Sequence, residues 1–316
     1  MTPQPSAVIP AAAATLRRGG LVAMPTETVY GLAGDALNPS ALARIFEVKQ
    51  RPAFDPLICH AADTAGAEAL VSDFPAAARA LAEAFWPGPL TLVLPKRARV
   101  PDLATSGHPT VAVRVPAHRL ARALLREFGG PLAAPSANLF GRLSPTTADA
   151  VRRELGGKVD VILDGGPCEV GVESTIIGFG PDGPRLLRAG GVPLEEIEAV
   201  AGPVAPAPGP TARPEAPGML ASHYAPRTPL RLENDGAPAE HGPDIGWLLF
   251  GPTGSFTPDH ALNLSPAGDL REAAARLFQA LRELDEDPAV RLICARPVPE
   301  RGLGRAINDR LRRAAA

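Results

Sequence analysis

Apolar residues along the first part of the chain come in two rhythms. Short continuous runs alternate with stretches in which large apolar side chains recur every three or four positions, the signatures of strands and of helices with one buried face. The run at 21–24 follows Gly19-Gly20, which ends a preceding helix. Asn38-Pro39 opens the next helix, since Asn caps and Pro suits the first helical position. Leu42, Ile45, Phe46 and Lys49 then fall on neighbouring faces of it. Further strands are predicted at 57–60, 90–94, 110–115, 131–134, 159–163 and 174–179, with helices at 75–85, 117–127, 146–155 and 193–200. The alternation predicts a mixed α/β domain built on a large twisted sheet.

The pattern breaks between 202 and 218, where six prolines stand among Ala and Gly with almost no large apolar side chain. Such a stretch predicts a semi-extended linker without a core of its own. Beyond it, a strand at 245–250, a helix at 269–284, a strand at 291–295 and a helix at 303–314 predict a smaller α/β domain. The expected division is therefore a first domain at 1–203, a linker at 204–225 and a second domain at 226–316. Extended proline-rich chain covers about 3.1 Å per residue, so this linker has the length to run back across a pocket mouth as a lid.

At 316 residues either domain can bury a core, and a net charge of −2, spread evenly over both halves, excludes a generic polyanion binder. Any RNA contact is then a local patch. The three cysteines are scattered without a CxxC pair, which excludes a disulfide framework and a cysteine-rich zinc site. No membrane-length apolar run and no secretion signal stand out, so a cytoplasmic protein is expected.

Candidate chemistry sits in polar segments at strand ends, where α/β folds place their sites. They are PTETVYGL at 25–32, KQRP at 49–52, PLICH at 56–60, PSAN at 135–138 with Ser144 beyond, ESTI at 173–176 and LLRAG at 186–190. Taken singly, the first reads as a turn, Lys49 and Arg51 as a helix cap, and His60 as a core histidine. Arg114, in the apolar strand VAVRVP, needs an anionic partner, either a protein carboxylate or a substrate carboxylate or phosphate. Together these segments gather hydroxyls and cations, which suits an anionic ligand. There is no GxxxxGK[ST] loop, GxSxG elbow or HExxH, so side chains would have to hold any phosphate.

In this order and spacing the segments resemble the threonylcarbamoyl-AMP synthase family, whose catalytic part is the YrdC-type domain. SHYAP at 222–226 and the 302–311 segment resemble its long form, which adds a Rossmann-like C-terminal domain. The resemblance implies a mixed twisted-sheet YrdC-like α/β domain plus a smaller Rossmann-like one. It implies the conversion of L-threonine, bicarbonate (or CO2) and ATP, with Mg2+, to threonylcarbamoyl-adenylate and pyrophosphate. A tRNA-modifying threonylcarbamoyl transferase would consume the product next to the anticodon.

Carried over by motif, Thr28, His60, Arg114, Ala134 and Ser174 would hold threonine. Arg51, Asp55, Thr110, Ser136, Ser144, Arg188 and Tyr224 would hold ATP. Lys49 and Arg51 are the catalytic cations expected near the phosphates. Asp55 stands where the family often has Asn; a carboxylate beside a triphosphate repels it unless it helps hold Mg2+ or faces the nucleoside. Two other classes remain: an RNA-binding module without catalysis, which the even charge disfavours, and a carbamoyl-adenylate-forming maturation factor, whose zinc-finger cysteine pairs this chain lacks.

Overall fold

The computed structural model describes residues 5–206, 214–220, 222–233, 242–254, 256 and 258–316. The first sheet is made of β1 (Val22–Met24), β2 (Gly31–Asp35), β3 (Ile58–His60), β4 (Leu90–Pro95), β5 (Thr110–Arg114), β6 (Leu132–Ala133), β7 (Val161–Ile162), β8 (Thr175–Gly180) and β9 (Gly183–Arg188). Their spatial order is β7-β1-β2-β6-β3-β5-β4-β8-β9, with parallel and antiparallel neighbours mixed. The second sheet, β10 (Leu230–Leu232), β11 (Ile245–Leu249), β12 (His260–Asn263) and β13 (Leu292–Ala295), is parallel in the order β10-β13-β11-β12.

Local chemistry explains the elements that position the site. The helix Pro39–Lys49 starts where the Asn38 side chain accepts from the amides of Ser40 and Ala41, and ends at Gln50, in the left-handed conformation. Its buried face is Ala41, Leu42, Ile45, Phe46 and Lys49, so the period of 3.6 carries a lysine into the interior. β5 is covered on both faces, which is why all but its first residue are buried. β3 and β5 run parallel with His60 opposite Arg114, setting those two side chains next to each other. The β8–β9 hairpin brings Arg188 back opposite Ile176, beside Ser174.

The described part of the proline-rich stretch lies against the first domain. Ala216 and Met219 are buried against Ile58, Val93, Ala112, Ile176 and Leu187 of the first sheet. The sheet supplies the apolar area, so a segment with two modest apolar side chains can dock without a core of its own. Residues 207–213 and 221 lie outside the described residues. The second domain shares a core with the first: Val29, Leu143 and Val172 pack in one cluster with Tyr224, Phe278, Leu281 and Ile307.

Candidate active site

One cleft collects the polar segments. Thr26, Thr28 and Gly31 come from the loop into β2, and His60 and Arg114 from the paired ends of β3 and β5. Ala134, Pro135 and Ser136 follow β6, while Glu173, Ser174 and Arg188 flank the β8–β9 hairpin. Pro217, Gly218, His223 and Tyr224 close it from the docked segment. The cleft is a tightly walled one, with about 520 Å³ of space not filled by protein atoms when the solvent at its mouth is included. A larger surface cleft lies beyond Asp35 of β2 and before Leu132 of β6, lined by Leu37, Ala61, Leu70 and Phe128, and none of the sequence candidates lines it.

Close packing builds the lid side. Gly218 has a φ of +82°, and a Cβ there would come within 2.8 Å of the Tyr224 hydroxyl and 2.9 Å of Arg188 Cδ. Tyr224 is itself held at a φ of 65°, the left-handed region that a bulky side chain rarely occupies, although it is 1 % exposed. Its hydroxyl is buried without a hydrogen-bond partner among the described residues, as are Nδ1 of His60 and Nδ1 of His223. Buried polar atoms are nearly always paired, so orphans converging on one cleft mark a place for a ligand.

The charges divide into compensated and open ones. Arg114 Nη2 meets Glu27 Oε1 at 2.5 Å, and Arg51 meets Asp55 at 2.9 Å, both pairs buried. Glu27 also accepts from the amides of Ala117 and His118. Arg188, by contrast, donates only to neutral acceptors, the carbonyls of Ser174 and Pro217 and the Ser174 hydroxyl. No carboxylate lies within ion-pair distance of it among the described residues, so it is the open cation of the cleft. Burial, with Arg114 adding to it, pushes His60 down to about 3, which keeps the imidazole neutral at ordinary pH.

The structure brings nine of the sequence candidates to the lining: Thr28, Arg51, His60, Arg114, Ala134, Ser136, Ser174, Arg188 and Tyr224. Four others do not line it. Lys49 is buried behind the wall, its ammonium donating to the carbonyls of Ser136 at 2.5 Å and Asn138 at 2.6 Å. Burial and the neighbouring Arg51 hold its pKa well below the usual lysine range. Lys49 thus braces the PSAN turn: it stands on the buried face of its helix, whereas Arg51 follows the left-handed Gln50 beyond the helix end. Asp55 is spent on Arg51. Ser144 donates to Glu173 Oε1 at 2.5 Å, and Thr110 opens β5 at the far end from Arg114.

For Arg114, both alternatives left by the sequence have a basis: it has a protein carboxylate, and it also lines the cleft. The sequence reading missed Glu27 and Glu173 as individual site residues, and missed His223 and Gly218. No group of three or more His, Cys, Asp or Glu suited to a metal ion occurs among the described residues. At the cleft Glu27, Asp55 and Glu173 are each paired with an arginine. No helix among the described residues is long and apolar enough to cross a membrane.

Comparison with known proteins points one way. Residues 14–190 match the Sua5/YciO/YrdC family, described as telomere recombination, and residues 192–316 match the threonylcarbamoyl-AMP synthase C-terminal domain. The chain is 46 % identical to a threonylcarbamoyl-AMP synthase of Pyrococcus abyssi, over 96 % of this chain and 92 % of that one. It is 43 % identical to the Bacillus subtilis protein of the same name, with the same coverage of both chains. The crystal structure of P. abyssi Sua5 complexed with L-threonine superposes with a TM-score of 0.88 at 42 % identity, covering 97 % of this chain and 94 % of that one.

Proposed function

This chain belongs to the threonylcarbamoyl-AMP synthase family and is a nucleotidyltransferase, and on that premise we propose how its cleft joins L-threonine, bicarbonate (or CO2) and ATP into threonylcarbamoyl-adenylate and pyrophosphate. Threonine lies against Thr28, His60, Arg114, Ala134 and Ser174, its carboxylate toward the guanidinium of Arg114. ATP lies on the side of Arg51, Ser136, Arg188 and Tyr224. Lys49, Asp55 and Ser144 act from behind: Lys49 fixes the Ser136 turn, Asp55 fixes Arg51, and Ser144 fixes Glu173.

The threonine amine adds to CO2 and gives a carbamate. A carbamate oxygen attacks the α-phosphorus, the bond to the bridging oxygen breaks, and pyrophosphate leaves. Neither step needs a protein nucleophile. The residues orient two anions, neutralise charge growing on the phosphates and keep water from a labile carbamate. Mg2+ enters as part of the ATP substrate, since the carboxylates of the site are committed elsewhere. The adenylate product is an activated acyl donor, suited to a transferase that modifies tRNA next to the anticodon.

The observation that carries this reading is the convergence of one open cation, Arg188, with the unpartnered buried Tyr224 hydroxyl and His60 Nδ1 in a single cleft. Pyrophosphate release from ATP and bicarbonate, measured with and without L-threonine, tests it. Release should depend on threonine; release indifferent to threonine overturns the reading.

A further inference from the structure

Arg310 lies in the last helix, Gly304–Ala314, outside every motif of the cleft, yet it is fully buried. Its Nε donates to Glu173 Oε2 at 2.7 Å and its Nη2 to the Ala189 carbonyl at 3.1 Å. Its guanidinium carbon stands 4.9 Å from the ring centroid of Tyr224, a cation–π distance. Asp309 holds the remaining nitrogen at 2.6 Å. The other oxygen of Glu173 is taken by Ser144. Both oxygens of a cleft carboxylate are therefore fixed, one from each domain.

Glu173 adjoins Ser174, whose carbonyl accepts from Arg188 Nη2 at 3.0 Å. Glu173 and Arg188 line the same cleft, and in a buried setting an unpaired carboxylate and an unpaired guanidinium attract strongly. Burial alone would lift the Glu173 pKa, and Arg310 first, then Arg188, instead hold it below the usual range.

We propose that Arg310 is a positioning residue that holds Glu173 away from Arg188, so that the Arg188 guanidinium stays open for the phosphates of ATP. The proposal rests on the reading above that Arg188 faces the nucleotide. Without Arg310, Glu173 pairs with Arg188 and competes with the triphosphate for its seat. The long form's second domain thereby contributes to nucleotide binding through one side chain, with no contact of its own to the substrate.

The test is the affinity for ATP and for threonine, measured separately by calorimetry on the full chain, so that it does not rely on turnover. Arg310→Gln should weaken ATP by about ten- to a hundredfold, the scale of a lost charge-assisted contact. Threonine affinity should stay within about threefold. In Glu173→Gln/Arg310→Gln the Glu173 carboxylate is gone and Asp309 keeps its pair with Arg313, so ATP affinity should return to within about threefold of Glu173→Gln alone.

A double variant as weak as Arg310→Gln overturns the proposal and leaves Arg310 acting through Tyr224 or packing; so does equal loss for both substrates. If Arg310→Gln does not fold, the double variant, which strands no Glu173 carboxylate, still decides the matter against Glu173→Gln. Arg188→Gln is the control: unchanged ATP affinity there refutes the placement of the nucleotide rather than the role of Arg310.

Discussion

Replacing Arg114 by lysine separates the duty its guanidinium performs for Glu27 from the one proposed for it toward threonine. Nη2 is spent on Glu27 and Nε donates to the Gly88 carbonyl at 3.2 Å, while Nη1 makes no bond among the described residues and is free for a substrate carboxylate. Lysine keeps the positive charge beside Glu27 but offers a compact ammonium in place of a planar fork, so it cannot grip both. Arg114→Lys should therefore lose one charge-assisted hydrogen bond to threonine, about 1.5–3 kcal/mol, or roughly ten- to a hundredfold in affinity. ATP affinity should change by less than about threefold. Arg114→Ala goes further and leaves Glu27, 5 % exposed, with only two backbone amides. Its stability should fall by about 3–5 kcal/mol, the scale for a buried pair stripped of one partner. Calorimetric titration with each substrate, together with denaturant unfolding of both variants, reads all of this. A folded Arg114→Lys protein with intact threonine affinity would show that Arg114 serves only Glu27, and equal weakening for both substrates would refute the division of the cleft.

Three further expectations concern the other groups. Tyr224→Phe removes a buried hydroxyl without a partner, so the free protein should be as stable or more so, while ATP affinity drops by about two- to twelvefold; a thermal shift with and without ATP checks it, and a destabilised free protein contradicts it. His60 takes a proton near pH 6.5 when unfolded but only near about 3 when folded, so stability drains as pH falls through that window, by up to about 1.4 kcal/mol per pH unit. Urea unfolding of His60→Asn at pH 7 and pH 4 should show a shallower loss than the parent, and an identical loss would remove His60 as the cause. A chain ending at residue 203 loses Tyr224 and Arg310 and bares Val29, Leu143 and Val172; its circular dichroism should remain that of a folded domain while ATP binding and pyrophosphate release collapse, and full activity would reduce the docked segment to a spacer.

What the sequence made legible follows from where each signal is stored. The β-branched runs at 110–115 and 174–179 announce strands by themselves, and β5 and β8 stand there. β2, with the sequence GLAGD, does not, because Gly and Ala carry little β propensity; it exists because β1 and β6 pair with it on either side. A Cβ on Gly31 would come within 3.0 Å of Ala134 Cβ, so the weak strand former is also what permits the approach that brings PSAN beside PTETVYGL.

The site divides in the same way. Motif order identified the residues that line the cleft, but it placed Lys49 at the phosphates, whereas its spacing from Ala41 and Ile45 already put it on the buried face. Arg310 repeats the lesson more sharply. Ala306, Ile307, Leu311 and Ala314 are buried along one helix with two polar residues among them, Asn308 and Arg310, and of the two only the arginine is charged. A cation on a core position requires a buried anion, because its desolvation is otherwise uncompensated. That much is local and could be read from the pattern. Which acid answers is not local: Glu173 lies 137 positions away, and only the tertiary fold, which sets Arg310 against Glu173 and Ala189 at the base of the β8–β9 hairpin, brings the two together. Periodicity can therefore flag the residues through which one domain acts on another's site, while the identity of their partners is a property of the tertiary fold alone.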